Sequence, residues 1–166
     1  MLSITYDPIK DVTNWLRIKR TYPKEFQFTK EYPFDQNISF IEKNIAQIAS
    51  TLPGDTKKEL ENIAHRLSVT WKNEERRAVK VINQYLSTDI RIFSAKANLT
   101  TAYKMPYDHR HWWFMIQANK PLPWQIRNIV HELFHLFHLQ CDPSATKEIL
   151  ESTVEIFLKK HYPLSA

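Results

Sequence analysis

The stretch NIVHELFHLFHLQ, Asn128 to Gln140, decides how the rest of the chain is read. It contains His131-Glu132-Leu133-Phe134-His135, an HExxH pattern inside an apolar run. In a helix, His131 and His135 fall on one face at the spacing that lets two imidazoles share one metal ion. Glu132 is turned about 100° from His131, where it flanks the metal and suits a general base for a metal-bound water. Ile129, Val130, Leu133, Phe134, Leu136, Phe137 and Leu139 make this helix apolar almost all the way round, the signature of a buried helix. Two imidazoles and a carboxylate inside such a helix need partners.

Two histidines do not complete a catalytic zinc site, which takes three protein ligands and an open position. Completion from the motif's own extension needs a Gly three residues on and a His six residues on. Here those positions are His138 and Cys141. His138 shares the face of the other two but lies about 10 Å along the axis from His131, too far for one metal. The remaining source is the last predicted helix, Ala145 to about Lys160, which carries Glu148, Glu151 and Glu155. If the two helices form a hairpin around Cys141-Asp142-Pro143-Ser144, Glu151 comes opposite the midpoint of the two histidines. Glu151 also lies closest to the edge of the apolar stripe Ile149, Leu150, Val154, Phe157, Leu158. Glu155, one turn beyond, is the rival third ligand, or else a partner for the second ring nitrogen of His131.

Composition bounds the alternatives. The chain has 166 residues, 43% of them hydrophobic and 13% aromatic, enough for one domain with a proper core. The single cysteine, Cys141, excludes a disulfide framework and a Cys-rich zinc site. Gly54 is the only glycine, so no Gly-rich phosphate loop exists. The formal charge is +5, but basic residues alternate with acidic ones, as in Lys72-Asn73-Glu74-Glu75-Arg76-Arg77, and form no recognition motif. We expect neither a nucleic-acid partner nor a membrane partner. MLSITYDPIK has no basic n-region or apolar h-region, so the expected setting is cytoplasmic.

The expected architecture is α+β, a single domain over 1–166 with a mainly helical part (1–87) and a sheet plus helix hairpin (88–166). Asp7-Pro8 reads as an N-cap and first helical residue, opening a helix through Val12, Trp15, Leu16 and Ile18. Phe26, Phe28, Tyr32 and Phe34 suggest an arm fastened to the body, or a lid across a cleft. A second helix runs from Phe40 to Leu52 and stops at Pro53-Gly54. Then comes a long pattern through Leu60, Leu67, Trp71, Ala78 and Ile82, either one bent helix or two. The period then changes to two: Ile90 to Phe93, Leu99 to Tyr103 and His111 to Ala118 are the expected strands of a small mixed three-stranded sheet. Pro123 stands at the start of the motif helix.

HELFH at 131–135 followed by Glu151-Ser-Thr-Val-Glu155 resembles the HExxH plus ExxxE arrangement of the gluzincin metallopeptidases, and the chain length resembles their minimal, single-domain forms. The resemblance covers the residues from the strands onward. It implies one Zn2+ ion held by His131, His135 and Glu151, Glu155 supporting His131, Glu132 as general base, and a peptide or protein substrate. It also implies a strand antiparallel to the bound peptide, for which Thr100, Thr101, Ala102 and Tyr103 are the candidates. An oxyanion-binding Tyr or His is expected as well; His161 is the chosen residue, with Tyr162, Tyr103, Tyr107, His109 and His111 as others. The gap from His135 to Glu151 is shorter than in larger members of that family. The competing expectation is a zincin scaffold with a binding or regulatory role, latent or without general turnover.

Overall fold

The computed structural model describes residues 1–23 and 37–164. The aromatic arm Phe26–Phe34 lies outside the described residues. The chain opens with a strand, β1 (Leu2–Tyr6), in which Leu2 and Ile4 are buried and Ser3 and Thr5 exposed. Asp7 then caps α1 (Pro8–Thr21), its carboxylate accepting from the backbone N–H groups of Ile9 and Lys10. Two short helices follow, α2 (Ile38–Lys43) and α3 (Ile45–Ser50), in place of the single expected helix over Phe40–Leu52. The break falls at Asn44, whose side chain donates back to the carbonyl of Phe40 (2.8 Å). Next comes α4 (Gly54–Leu86), one continuous helix of 33 residues that buries Leu60, Ala64, Leu67, Trp71, Ala78 and Ile82. Glu74 and Glu75 do not interrupt it. Glu75 instead accepts from the backbone N–H of Leu2 (2.7 Å), fastening β1 to the helix.

Among the described residues the sheet has four strands, not three, in the order β1-β2-β4-β3, with β2 at Ala95–Thr100, β3 at Tyr107–Asp108 and β4 at Trp113–Gln117. β1 and β4 both run parallel to β2, and β3 runs antiparallel to β4. The sheet is therefore mixed and the class α+β, while β1 ties the first residues of the chain into the sheet of the second half. Ile90–Phe93 is not a strand. Asn83 takes up its polar groups, donating to the Ile90 carbonyl (2.9 Å) and accepting from the Ile90 N–H (3.0 Å). These bonds hold the segment as a loop after Ser87, which adopts the left-handed conformation (φ 54°) at the end of α4.

Ala97, Leu99, Phe114 and Ile116, all 0% exposed, form the core-facing side of the central strands. Against the core pack α4, α5 (Leu122–Cys141) and α6 (Lys147–His161). Asp142 shapes the turn between α5 and α6 by accepting from Ser144 N and Oγ (3.0 and 2.6 Å). Thr146 then caps α6. Among the described residues no helix is long and apolar enough to cross a membrane.

Candidate metal centre

Two ligand candidates come from α5 and one from α6. The apolar face of α6 (Leu150, Val154, Phe157, Leu158) is buried, and its Phe157 ring meets Phe134 of α5 at 4.8 Å. Tyr85 of α4 closes the cluster, edge-on to Phe134 at 5.7 Å and to Phe157 at 5.3 Å. This packing sets the separation of the two helices and carries Glu151 over the histidine face. His131 Nε2 and His135 Nε2 lie 2.8 Å apart. Glu151 offers a separate oxygen to each, Oε2 at 3.6 Å from His131 and Oε1 at 3.6 Å from His135. One donor atom from each of the three residues falls within 4.8 Å of the others.

That donor set suits zinc. Tetrahedral zinc with Zn–N near 2.0–2.1 Å separates its ligand nitrogens by about 3.3 Å, so the two imidazoles need to part by only about half an ångström. Burial first, then the Arg127 charge, pushes His131 down to about 4. Burial first, then His131 and His138, pushes His135 down to about 3. Both rings are neutral at physiological pH, the form that binds a metal. Burial is graded across the site: the His135 side chain is 1% exposed, that of His131 24% and that of Glu151 47%, so an open coordination position would face solvent on the Glu151 side.

Glu132 sits beneath, 4% exposed, and its Oε2 has no hydrogen-bond partner among the described residues. Burial first, then the negative charge of Glu151, raises its carboxyl to about 8. At neutral pH that carboxyl is protonated, and an unpartnered carboxyl oxygen buried this deeply is costly in a purely structural role.

Glu155 stands apart from the donor cluster. Its Oε2 faces Arg127 Nη2 at 3.6 Å and its Oε1 faces Lys159 Nζ at 3.8 Å. Its charge still reaches His131, raising that imidazole's pKa against the larger effects that lower it. Arg127, which sequence reasoning passed over, links Glu155 to the end of α6 by donating to the Tyr162 carbonyl (3.2 Å). Arg127 precedes His131 by one helical turn, the signal that could have found it. His138 is not one of the three donors, though its charge lowers the pKa of His135. Its ring stands edge-on to Phe134 at 5.8 Å.

The expected substrate strand is corrected. Leu99–Tyr103 is not a strand unit: β2 ends at Thr100 and is flanked by β1 and β4, so it has no free edge. Thr100 and Thr101 are engaged by α1. Thr100 Oγ1 donates to Asp11 Oδ1 (2.6 Å), Thr101 Oγ1 to Asp11 Oδ2 (2.8 Å) and the Thr101 N–H to Asp11 Oδ1 (3.0 Å). Ala102 is fully buried, and Tyr103 packs edge-on against Trp15 at 6.0 Å. The sheet edge near the cluster is β3. His161 is also displaced: it lies ten residues beyond Glu151 on α6, about 15 Å along the axis, with its ring on Phe157 (4.9 Å). The aromatic group at the cluster is Tyr107 of β3, stacked on His135 with centroids 5.5 Å apart. Burial first, then Glu132 and Glu151, raises the Tyr107 hydroxyl's pKa, so it stays protonated and able to donate.

Compared with known protein families, curated proteins and solved structures, this chain matches none.

Proposed function

We propose that this chain is a zinc-dependent peptidase of gluzincin type, with one Zn2+ held by His131, His135 and Glu151. The observation that carries the reading is the meeting of those three donor groups, from two helices, beside the buried and unpartnered Oε2 of Glu132. Zinc bound there would polarise a scissile carbonyl and acidify a water. Glu132, ionised once a cation beside it offsets its burial, would take the water's proton and pass it to the leaving amine. Tyr107 donates a hydrogen bond to the oxyanion as it develops. The peptide or protein substrate lies along the outer edge of β3, paired to its backbone. A cytoplasmic setting accompanies this proposal, in keeping with a single free cysteine.

Elemental analysis of the purified chain, joined to hydrolysis of a mixed fluorogenic peptide library, tests it. The expected result is about one zinc per chain, with Glu132→Gln keeping the metal and losing about 10²–10⁴-fold in rate. A zinc-free protein, or a Glu132→Gln variant with full activity, overturns the proposal. Zinc without hydrolysis by the wild type replaces it with the binding or regulatory role.

A further inference from the structure

The other face of the sheet carries a cavity of about 400 Å³ beneath α1, away from the metal cluster. Its volume falls within the range of roughly 300–1,000 Å³ common for small-molecule sites. The floor comes from β2 and β4, where Lys96 pairs with Trp113 and Asn98 with Met115 in register, so the four side chains share one face. The roof is the face of α1 that carries Lys10, Asn14 and Arg17, spaced four and three residues apart. Val12, Trp15, Leu16 and Ile18 of the same helix are buried in the core.

Two buried amides aim two of the three cations. Asn14, 2% exposed, accepts from Arg17 Nε (3.2 Å) and Nη2 (3.0 Å) on one oxygen, while its nitrogen donates to Thr100 Oγ1 (3.0 Å) and the Lys104 carbonyl (2.9 Å). Asn98, also 2% exposed, accepts from Lys10 Nζ (3.2 Å). Among the described residues, Lys10, Arg17 and Lys96 form no ion pair with a carboxylate. Asp108, three residues before the lining His111, is engaged by His111 Nδ1 (2.7 Å). Burial lowers the pKa of the Arg17 guanidinium, so its charge is held at a cost that an anion would offset. Three cations, two of them oriented, over an indole and a thioether match one ligand chemistry.

We propose that this cavity binds a small organic anion, its carboxylate or phosphate held by Lys10, Arg17 and Lys96 and its flat apolar body lying on Trp113 and Met115. The site is independent of the metal centre and of the peptidase reading. Calorimetric titration of the full chain with 3-phenylpropionate and with phenyl phosphate tests it, and the stronger of the two identifies the head group. We expect submillimolar binding of at least one, with inorganic phosphate and the neutral amide of phenylpropionate each weaker by about tenfold or more. Lys96→Gln, at an exposed side chain with no hydrogen bond or ion pair among the described residues, should weaken binding by about tenfold, and Arg17→Gln likewise. Glu151→Gln should leave it unchanged, separating this site from anion capture by zinc. The proposal is overturned if neither probe binds, if the amide or bare phosphate binds as well, if Lys96→Gln has no effect, or if Glu151→Gln abolishes binding.

Discussion

Zinc should stabilise this fold through Glu151, and the size of the effect can be worked out. A ligand that binds only the folded state stabilises it by RT ln(1 + [L]/Kd), about 2.7 kcal/mol at one hundred times Kd. For a chain of 166 residues, each kcal/mol moves the melting temperature by about 2–4 °C. Zinc added to EDTA-stripped protein at that excess should therefore raise the transition by about 5–11 °C. Glu151 is half-exposed, and among the described residues its carboxylate approaches only the two imidazoles, at 3.6 Å each, so Glu151→Ala should leave the metal-free transition within about 0.5 kcal/mol of wild type. The same substitution leaves two nitrogens where a catalytic site takes three ligands, and the zinc-dependent rise should nearly vanish. Glu155→Ala removes a partner of Arg127 and Lys159 but no donor at the cluster, so most of the rise should remain. Scanning calorimetry with and without zinc reads all three proteins. An undiminished rise in Glu151→Ala, or its loss in Glu155→Ala, refutes the assignment of the third ligand.

Asp11→Ala should cost about 3 kcal/mol in urea unfolding, because it strands the Thr100 hydroxyl and both Thr101 donors that clamp α1 to the end of β2. A loss below about 1 kcal/mol would mean that water replaces the carboxylate. Phe157→Ala, at a fully buried ring, should cost about 3–5 kcal/mol, and the zinc affinity of the folded variant should fall as α6 loosens on α5. Unchanged affinity would show that Glu151 does not depend on this packing. The two depressed imidazoles also set an acid limit. The unfolded chain takes up protons near pH 6.5 that folded His131 and His135 accept only near 4 and 3. Stability of the EDTA-treated protein should therefore fall as pH drops from about 6.5 toward 4, and a His131→Gln, His135→Gln double variant should show a shallower fall in urea midpoint.

The motif helix and its hairpin partner were legible because local signals govern them. HELFH states its own face, Pro143 and Ser144 mark the turn, and the apolar stripe of the last helix orients Glu151. The strands were harder. Leu2, Ile4 and Tyr6 alternate as a half-buried strand should, yet the partner of β1 lies some ninety residues away at Ala95–Leu99, and local pattern says nothing about such pairing. Ile90–Phe93 has the composition of a strand, but the Asn83 side chain takes up the backbone groups of Ile90. Thr100 and Thr101 looked free for a substrate because nothing near them in sequence reveals Asp11 as their partner. Tyr107 reaches His135 only through the β3–β4 pairing, so its place at the cluster follows from tertiary structure.

The division of labour around the cluster bears on what kind of metal site it would make. In a site that folds its own domain, the metal supplies the energy that brings the ligands together. Here the separation of α5 and α6 is set by Phe134, Phe157 and Tyr85, and the turn between the helices is tied by Asp142 and Thr146. None of these groups is a ligand. The donors are thus held by packing that does not depend on an ion, with one side of the cluster buried against Glu132 and the other open beside Glu151. Pre-set donors, a sealed carboxyl and a solvent-facing position support the proposed peptidase reading over that of a structural staple.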